Sequence, residues 1–267
     1  MRYQNSGCSR GRVCGLVLIL LGALALSEAK AQTLTTLVNF NFSNGAYPDA
    51  GLIADANGNL FGTTVVGGAG ANFSAQIYRY GTVFEVPYIA TTGGYATTPT
   101  TLVSFDNMDG SGPTAGLIAD ANGNLFGTTE EGGAFANPSQ KIPGYGTVFE
   151  VPYNATTGYN TTPTTLVSFD STGGAYPDAG LIADANGNLF GTTQGGGASA
   201  FGTVFELSGS GFVPPAQFAG KPGTTNCAGV STSTLVHTYG GLAHAATGLH
   251  FTSVGALESA ITSYCSQ

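Results

Sequence analysis

Two sets of carboxylates recur through this 267-residue chain, and they are the side chains best suited to chemistry. The first set is a glutamate within an otherwise apolar strand, present as Glu85, Glu150 and Glu206. Paired carboxylates at a defined separation catalyse glycoside hydrolysis. However, the same glutamate occurs in every copy and the chain has no tryptophan to stack on sugars, which favours an edge-exposed residue. A carbohydrate-active enzyme is therefore the alternative hypothesis, and a non-enzymatic binding or structural protein is the main one.

The second set is an aspartate that opens the segment Asp-Ala-Asn-Gly-Asn. This segment is superficially similar to a calcium loop, but an EF-hand needs a longer series of ligands that ends in a bidentate glutamate. An aspartate that accepts N–H groups of its own turn explains the same residues without a metal ion. We therefore expect no metal and no cofactor. These residues are assigned to structural turns: Asp55, Asn57, Gly58, Asp120, Asn122, Gly123, Asp184, Asn186 and Gly187.

The sequence contains no other signature of catalysis. It has no Gly-x-Ser-x-Gly nucleophile elbow, no P-loop and no HExxH zinc motif. The histidines His237, His244 and His250 all lie near the C-terminus, and Gly240-Gly241 interrupts the helical spacing between the first two. We therefore predict no catalytic residue and no metal pair, and the sequence does not identify the ligand.

The carboxylates recur because the chain contains three copies of one unit. A fixed period of this kind indicates a repeat architecture. The segment Ala-Gly-Leu-Ile-Ala-Asp-Ala-Asn-Gly-Asn-Leu-Phe-Gly-Thr-Thr occurs unchanged at 50–64, 115–129 and 179–193, with offsets of 65 and 64. Thr-Thr-Leu-Val precedes each copy at 35–38, 100–103 and 164–167, and Gly-Thr-Val-Phe-Glu follows at 81–85, 146–150 and 202–206. The repeats within residues 32–212 are predicted at about 34–99, 100–163 and 164–212.

Turn residues divide each unit into four antiparallel strands. In the first unit, residues 51–54 and 60–64 flank Asn57-Gly58, a strong hairpin signal because both residues tolerate positive φ. Residues 81–87 and 100–105 supply the third and fourth strands. Apolar residues fall on both faces, so neighbouring sheets must cover both, as blades do in a propeller. We predict an all-β, propeller-like fold of three four-stranded antiparallel blades, with an immunoglobulin-like array as the alternative.

The two ends of the repeat region do not match. Residues 34–40 repeat the fourth strand without a preceding unit, and the third unit ends after its third strand. The N-terminal strand could therefore complete the last blade and close a ring. Three blades are fewer than the usual four to eight. The sequence accordingly also predicts either a homodimer with six blades or a C-terminal tail that covers the exposed faces.

The motifs resemble a known family. Gly-Leu-Ile-Ala-Asp-Ala-Asn-Gly-Asn-Leu-Phe-Gly-Thr-Thr followed by Gly-Gly and Gly-Thr-Val-Phe-Glu is similar to the Gloeobacter–Verrucomicrobia (GloVer) repeat of exported bacterial proteins. The Asp-x-x-Gly-Asn core also resembles the inner hairpin of NHL-type propeller blades. The resemblance covers residues 34 to about 207 and implies an exported, propeller-like protein, often tethered to the cell surface. It implies no particular activity, and the chain departs from the family in lacking a recognisable C-terminal sorting anchor.

Residues 1–31 have the features of a cleavable signal peptide. Arginines precede an apolar stretch at 13–26, and Ala29-Lys30-Ala31 supplies a small-x-small cleavage pattern. The apolar stretch is shorter than the roughly 20 residues of a spanning helix, although a retained anchor is the alternative. Removal of 1–31 leaves 3 basic and 14 acidic residues, a net charge of −11, which disfavours nucleic acid and anionic lipid headgroups. We expect a secreted, periplasmic or surface protein that binds an extracellular glycan or protein, without membrane insertion of the mature chain.

The C-terminal segment differs from the repeats. Residues 213–226 are predicted to be a linker, and 227–267 a small helical tail. Ser253 is a suitable N-cap for a helix, and one apolar face follows it: Val254, Leu257, Ile261 and Tyr264. Cys227 and Cys265 lie outside the leader, and in an oxidising compartment they most simply form one disulfide. The tail is expected to cover an exposed blade edge or, alternatively, to bind a partner.

Overall fold

The computed structural model describes residues 32–71, 79–137 and 143–215, and in the tail 228, 231–232, 235, 241–249 and 251–266. The chain divides into two units, Met1–Thr35 and Thr36–Gln267, and all the strands and helices described below belong to the second. The predicted signal peptide and Cys227 lie outside the described residues. The cleavage site and the Cys227–Cys265 disulfide therefore stay predictions.

The first two repeats each form a four-stranded antiparallel sheet, in which the strands lie side by side in chain order. The first sheet contains β1 (Ile53–Ala54), β2 (Leu60–Thr64), β3 (Thr82–Val86) and β6 (Thr100–Ser104). The second contains β7 (Ile118–Ala119), β8 (Leu125–Thr129), β9 (Thr147–Val151) and β12 (Thr164–Ser168). The prediction of four antiparallel strands is confirmed for these repeats.

A second, smaller hairpin interrupts the connection between the third and fourth strands. In the first repeat it pairs β4 (Tyr88–Ile89) with β5 (Gly94–Tyr95), and in the second it pairs β10 (Tyr153–Asn154) with β11 (Gly158–Tyr159). The sequence indicated only a polar connection here. Each strand is two residues long, which is too short for an alternating pattern, and cross-strand tyrosine pairs stabilise the hairpins instead.

The third repeat has three strands rather than four: β13 (Ile182–Ala183), β14 (Leu189–Thr193) and β15 (Thr203–Leu207). The expectation that residues 34–40 complete this sheet is wrong for the single chain, since residues 32–40 form no strand. Phe40 instead contacts Phe84 of the first sheet, with 4.9 Å between ring centroids. The described residues thus form separate antiparallel sheets and no closed propeller.

Aromatic contacts join each sheet to the next. Phe105, which follows β6, meets Phe149 of β9 edge-to-face at 5.0 Å. Phe169, which follows β12, meets Phe205 of β15 in the same way at 5.2 Å. Because each pair joins the end of one sheet to the third strand of the next, the apolar cores lie between sheets, as the two-faced apolar pattern predicted. The core between the first two sheets consists of Phe61, Val83, Leu102, Val103, Phe105, Leu117, Leu125, Phe149 and Val151.

Polar contacts also connect neighbouring repeats. The Thr63 hydroxyl donates to the Ala115 carbonyl oxygen at 3.0 Å, and Thr128 donates to Ala179 at 3.2 Å. Each threonine belongs to one repeat and each carbonyl to the next. Since buried polar groups need partners, these bonds help to fix how far one sheet is displaced from its neighbour.

The hairpin at Asn57-Gly58 is longer than a two-residue turn. Its loop runs from 55 to 59, and the Gly58 N–H donates to the Asp55 carbonyl at 3.1 Å. Gly58 has a φ of 87°, but Asn57 does not adopt positive φ. The predicted hairpin is therefore present, whereas the predicted role of the asparagine backbone is wrong, because the Asp55 carboxylate holds the turn.

The tail contains α1 (Leu242–Gly248) and α2 (Val254–Cys265). The Ser253 side chain accepts the Ala256 N–H at 3.1 Å, so the predicted N-cap is confirmed. The tail has a small core of its own, made by Leu235, Ala245, Ala246, Leu257 and Ile261. Within the described parts of the chain, no helix is long and apolar enough to cross a bilayer.

Candidate functional site

The Asp-Ala-Asn-Gly-Asn turns use their carboxylates to bind their own backbone. Asp55 Oδ1 accepts the N–H groups of Asn57 (2.9 Å) and Asn59 (2.8 Å), and its Oδ2 accepts Asn59 Nδ2 at 2.9 Å. Asp120 and Asp184 make the same bonds in the other repeats. In the part of the chain that the structure describes, no group of three or more His, Cys, Asp or Glu side chains could hold a metal ion.

A crevice of about 710 Å³ opens between the first two repeats, beside these turns. One wall is a row of directly opposed residues across the first sheet: Ile53, Phe61, Glu85 and Thr100. Opposed residues in antiparallel strands project from the same face, so this row presents apolar and acidic groups together. The turns that carry Asp55 and Asp120 border the crevice.

The β10–β11 hairpin of the second repeat supplies the facing wall through Tyr153 and Tyr159. Their rings lie 4.9 Å apart, and Tyr159 also meets Phe61 at 5.5 Å, edge-to-face. Burial, followed by the nearby carboxylates of Glu85 and Asp55, raises the pKa of Tyr159. The Tyr159 hydroxyl consequently stays protonated at physiological pH and can donate a hydrogen bond.

The three repeated glutamates do not share one site. Glu85 lines the crevice, and burial together with the Asp55 charge raises its pKa. Glu150 has a raised pKa for the matching reasons, burial and Asp120, but it is not part of the crevice wall. Glu206 is exposed. The carboxylates that the structure brings together are therefore Glu85, Asp55 and Asp120, from two different sequence motifs.

The equivalent position between the second and third repeats is bridged by the chain itself. Phe212 contacts Phe126 at 5.1 Å, as Tyr159 contacts Phe61. The Ala121 N–H donates to the Val213 carbonyl at 2.8 Å, and the Val213 N–H donates to Asp120 Oδ2 at 3.4 Å. In the first repeat, the matching turn borders the crevice.

Comparison with known proteins agrees with the repeat pattern. The family model of the Gloeobacter/Verrucomicrobia repeat matches residues 22–252. The chain belongs to the Gloeobacter/Verrucomicrobia repeat family. No curated protein matches it. Among solved structures, a luciferin-regenerating enzyme is 16% identical with a TM-score of 0.32, and the match covers 63% of this chain and 47% of that one.

Sequence reasoning missed the tyrosines of this Gloeobacter/Verrucomicrobia repeat protein. Tyr88 and Tyr95 recur as Tyr153 and Tyr159 at the repeat offsets, and this recurrence was the available signal. The recurring residues nevertheless differ in position, since only the second pair lines the crevice. A tyrosine becomes part of the site when a preceding repeat stands opposite it.

Asp109, in the turn after β6, is expected to make stability depend on pH. Burial and then the neighbouring Asp106 raise the pKa of Asp109 to about 6 although its carboxyl accepts the Asp106 N–H at 3.0 Å. A carboxyl whose pKa is raised by folding favours the folded state below pH ~4, and that contribution is lost as pH rises towards 6. At pH 7 we therefore expect Asp109→Asn to stabilise the protein by about 1 kcal/mol after allowance for partial exposure.

The first repeat shows that an amide suits this turn, because Asn44 accepts the Asn41 N–H at 2.9 Å in the equivalent place. Thermal denaturation between pH 3 and 8 measures the effect, and the gain should disappear below pH ~4. Asp170→Asn is the control. Hydrogen bonds from the Gly173 N–H and Thr172 lower the pKa of exposed Asp170, so removal of its negative charge should destabilise the folded protein at pH 7. A pH-independent gain for Asp109→Asn would contradict the assignment.

Proposed function

We propose that this protein is an exported, non-enzymatic binding protein that takes a neutral oligosaccharide into the crevice between its first two repeats. The observation that carries the proposal is the pairing of Tyr153 and Tyr159 with the carboxylates of Glu85, Asp55 and Asp120 around about 710 Å³. A pocket of that volume is within the range of small-molecule sites, which combine aromatic walls with a few polar groups. Export is supported by the leader-like features of residues 1–31.

The chemistry of the walls selects the ligand class. Carboxylates and amide oxygens accept hydrogen bonds from hydroxyls, whereas aromatic rings bury the apolar faces of a sugar. The protonated Tyr159 hydroxyl and the Asn57 side chain add donors. Negative charge in a concave site repels phosphate and carboxylate groups, so an anionic saccharide is disfavoured.

A carbohydrate-active enzyme is the second candidate, because Glu85 has a raised pKa beside Asp55 in the same crevice. Glycoside hydrolysis needs a second carboxylate that is free to act as a base or nucleophile. Both oxygens of Asp55 accept hydrogen bonds within its turn, and so do both oxygens of Asp120. This use of the aspartates favours binding over catalysis. The propeller-like arrangement of the sheets remains part of the proposal.

Titration calorimetry with a panel of neutral oligosaccharides tests the proposal. We expect Tyr153→Ala to weaken binding at least about tenfold, which corresponds to about 1.4 kcal/mol. Tyr88→Ala is a matched control: Tyr88 and Tyr153 are 37% and 41% exposed, and each donates its N–H to an asparagine side chain. Only Tyr153 lines the crevice of the single chain, so Tyr88→Ala should leave affinity unchanged at a concentration at which the protein is monomeric.

Equal effects of the two tyrosine variants, or binding of no panel member, would contradict the crevice as the site. The enzyme hypothesis is tested in the same samples by measuring new reducing ends. Turnover that Glu85→Gln or Glu150→Gln abolishes would replace the binding proposal with the enzymatic one. Retained oligosaccharide binding without turnover would support the non-enzymatic assignment.

A further inference from the structure

The third sheet exposes apolar side chains more fully than the equivalent positions of the other repeats do. Val204 of β15 is 81% exposed, whereas Val83 and Val148 are 0% exposed. Ile182 and the neighbouring Phe201 are also largely exposed, at 69% and 91%. Soluble monomers seldom leave a cluster of this kind uncovered, and such surfaces mark interaction sites.

The same sheet has a free edge. In the first two repeats, the third strand is flanked on both sides, by β2 and β6 around β3 and by β8 and β12 around β9. In the third repeat, β15 pairs with β14 on one side, and no strand of the described residues pairs with its other side. The unpaired N–H and C=O groups of such an edge can accept a strand from another chain.

Residues 35–38 have the sequence that this edge lacks. Thr-Thr-Leu-Val also begins β6 and β12, which pair with the third strands of their own repeats. In the first position, however, the segment forms no strand, and Leu37 is 38% exposed while its equivalent Leu102 is 8% exposed. The chain thus contains a segment with the sequence of a fourth strand, residues 35–38, and a third sheet that lacks a fourth strand among the described residues.

Phe40 contacts the first sheet in the way that the residue after a fourth strand contacts the next sheet. Phe40 meets Phe84 at 4.9 Å with an interplanar angle of 67°, and Phe105 meets Phe149 at 5.0 Å with the same angle. Phe105 directly follows β6, the fourth strand of the first sheet, and contacts the second sheet. The first sheet therefore presents a face that suits a preceding sheet, and the described residues before Phe40 form no such sheet.

We propose that a second copy of the chain provides that sheet, so that residues 36–39 of one copy form the fourth strand of the third sheet of the other. The internal pairs fix the register. Thr101 and Val103 lie opposite Phe84 and Val83. By the repeat offset, Thr36 lies opposite Phe205 and Val38 opposite Val204. This pairing buries the exposed valine as β6 buries its equivalent.

The proposed junction also allows a third hydrogen bond of the kind that connects neighbouring repeats within the chain. Thr63 and Thr128 each donate to an alanine carbonyl of the following repeat. Their equivalent in the third sheet, Thr192, is exposed. Across the proposed junction, the Thr192 hydroxyl donates to the Ala50 carbonyl of the second copy.

A head-to-tail contact either closes a ring or continues into a filament. Two copies with three sheets each make a ring of six sheets, which is within the usual four to eight blades of a propeller. Two such junctions leave no third sheet exposed. The proposed assembly is therefore a closed dimer, and closure within one chain is the competing outcome.

Light scattering on the size-fractionated protein measures the mass. We expect the mass of two copies, and we expect Val204→Asp to weaken association at least tenfold. Val204 is largely exposed in the single chain, so this variant should fold. Met108→Asp is the control, because Met108 is 55% exposed on a turn outside the third sheet, and it should leave the dimer intact. A monomeric wild-type protein, or a dimer that Val204→Asp leaves unchanged, overturns the proposal.

Cysteine cross-linking identifies the junction. Directly opposed residues in neighbouring strands are close enough for a disulfide. Chains with Val38→Cys mixed with chains with Val204→Cys should form a cross-linked pair on oxidation, and the wild-type chain should not form it. A chain that carries both substitutions and links them within a single copy at high dilution would show closure of one chain and overturn the dimer.

Discussion

Phe149→Ala is expected to lower the free energy of unfolding by about 4 kcal/mol, the range for removal of a buried phenylalanine. Phe149 is 0% exposed and lies in the core between the first two sheets, where it contacts Phe105 edge-to-face. Gly127 packs directly against the Phe149 ring, since a Cβ at that position would lie 2.7 Å from it, and glycine has no side chain that could fill the cavity. Urea denaturation followed by circular dichroism measures the loss.

Phe205→Ala is the matched control, because Phe205 holds the equivalent place in the third sheet and also contacts a phenylalanine at 5.2 Å. Phe205 is only half-buried, so its removal leaves a smaller cavity and should cost about 1–2 kcal/mol. The measurement is made at a concentration at which the protein is monomeric. Equal losses for the two variants would contradict the expectation that the loss follows how deeply the removed ring is buried.

The second large effect is expected from Asp120→Ala, which should lower the free energy of unfolding by about 3 kcal/mol. Asp120 is 7% exposed, and its carboxylate accepts the N–H groups of Asn122 and Asn124 at 2.9 and 2.8 Å. It also accepts the Val213 N–H, which fastens the end of the third repeat to the second. Removal leaves Asn124 and Val213, which are partly buried, without this acceptor, and a donor left unpaired in that way costs up to about 1–3 kcal/mol.

Asp184→Ala is the control for the turn, since Asp184 makes the same local bonds, whereas the Val213 N–H donates to Asp120. Its loss should be smaller, because its donors can bond to water. The loss of unfolding free energy for Asp120→Asn should lie between those of the two alanine variants. Its amide oxygen accepts the backbone N–H groups, but its NH₂ group cannot accept a hydrogen bond from Asn124 Nδ2. Thermal and urea denaturation distinguish these variants, and an Asp184→Ala loss as large as that of Asp120→Ala would contradict the role of Val213.

The sequence determined the parts of this protein that depend on near neighbours. The three repeats, their four-strand pattern and the hairpins at Asn-Gly follow from local turn chemistry and from alternation of apolar residues. The helix that begins after Ser253 follows in the same way from its N-cap and its apolar face. Family membership was also readable, because the motifs recur unchanged and the family model matches residues 22–252.

Only the tertiary structure decided how identical segments differ in strand formation, in burial and in their place at the crevice. Identical Thr-Thr-Leu-Val segments form strands at 100 and 164 but not at 35, and identical valines are buried at 83 and 148 but exposed at 204. Glu85 lines a crevice and Glu150 does not, although both occupy the same strand position. The physical reason is that each residue's surroundings come from the adjacent repeat, and the first and last repeats each lack one neighbour within the chain.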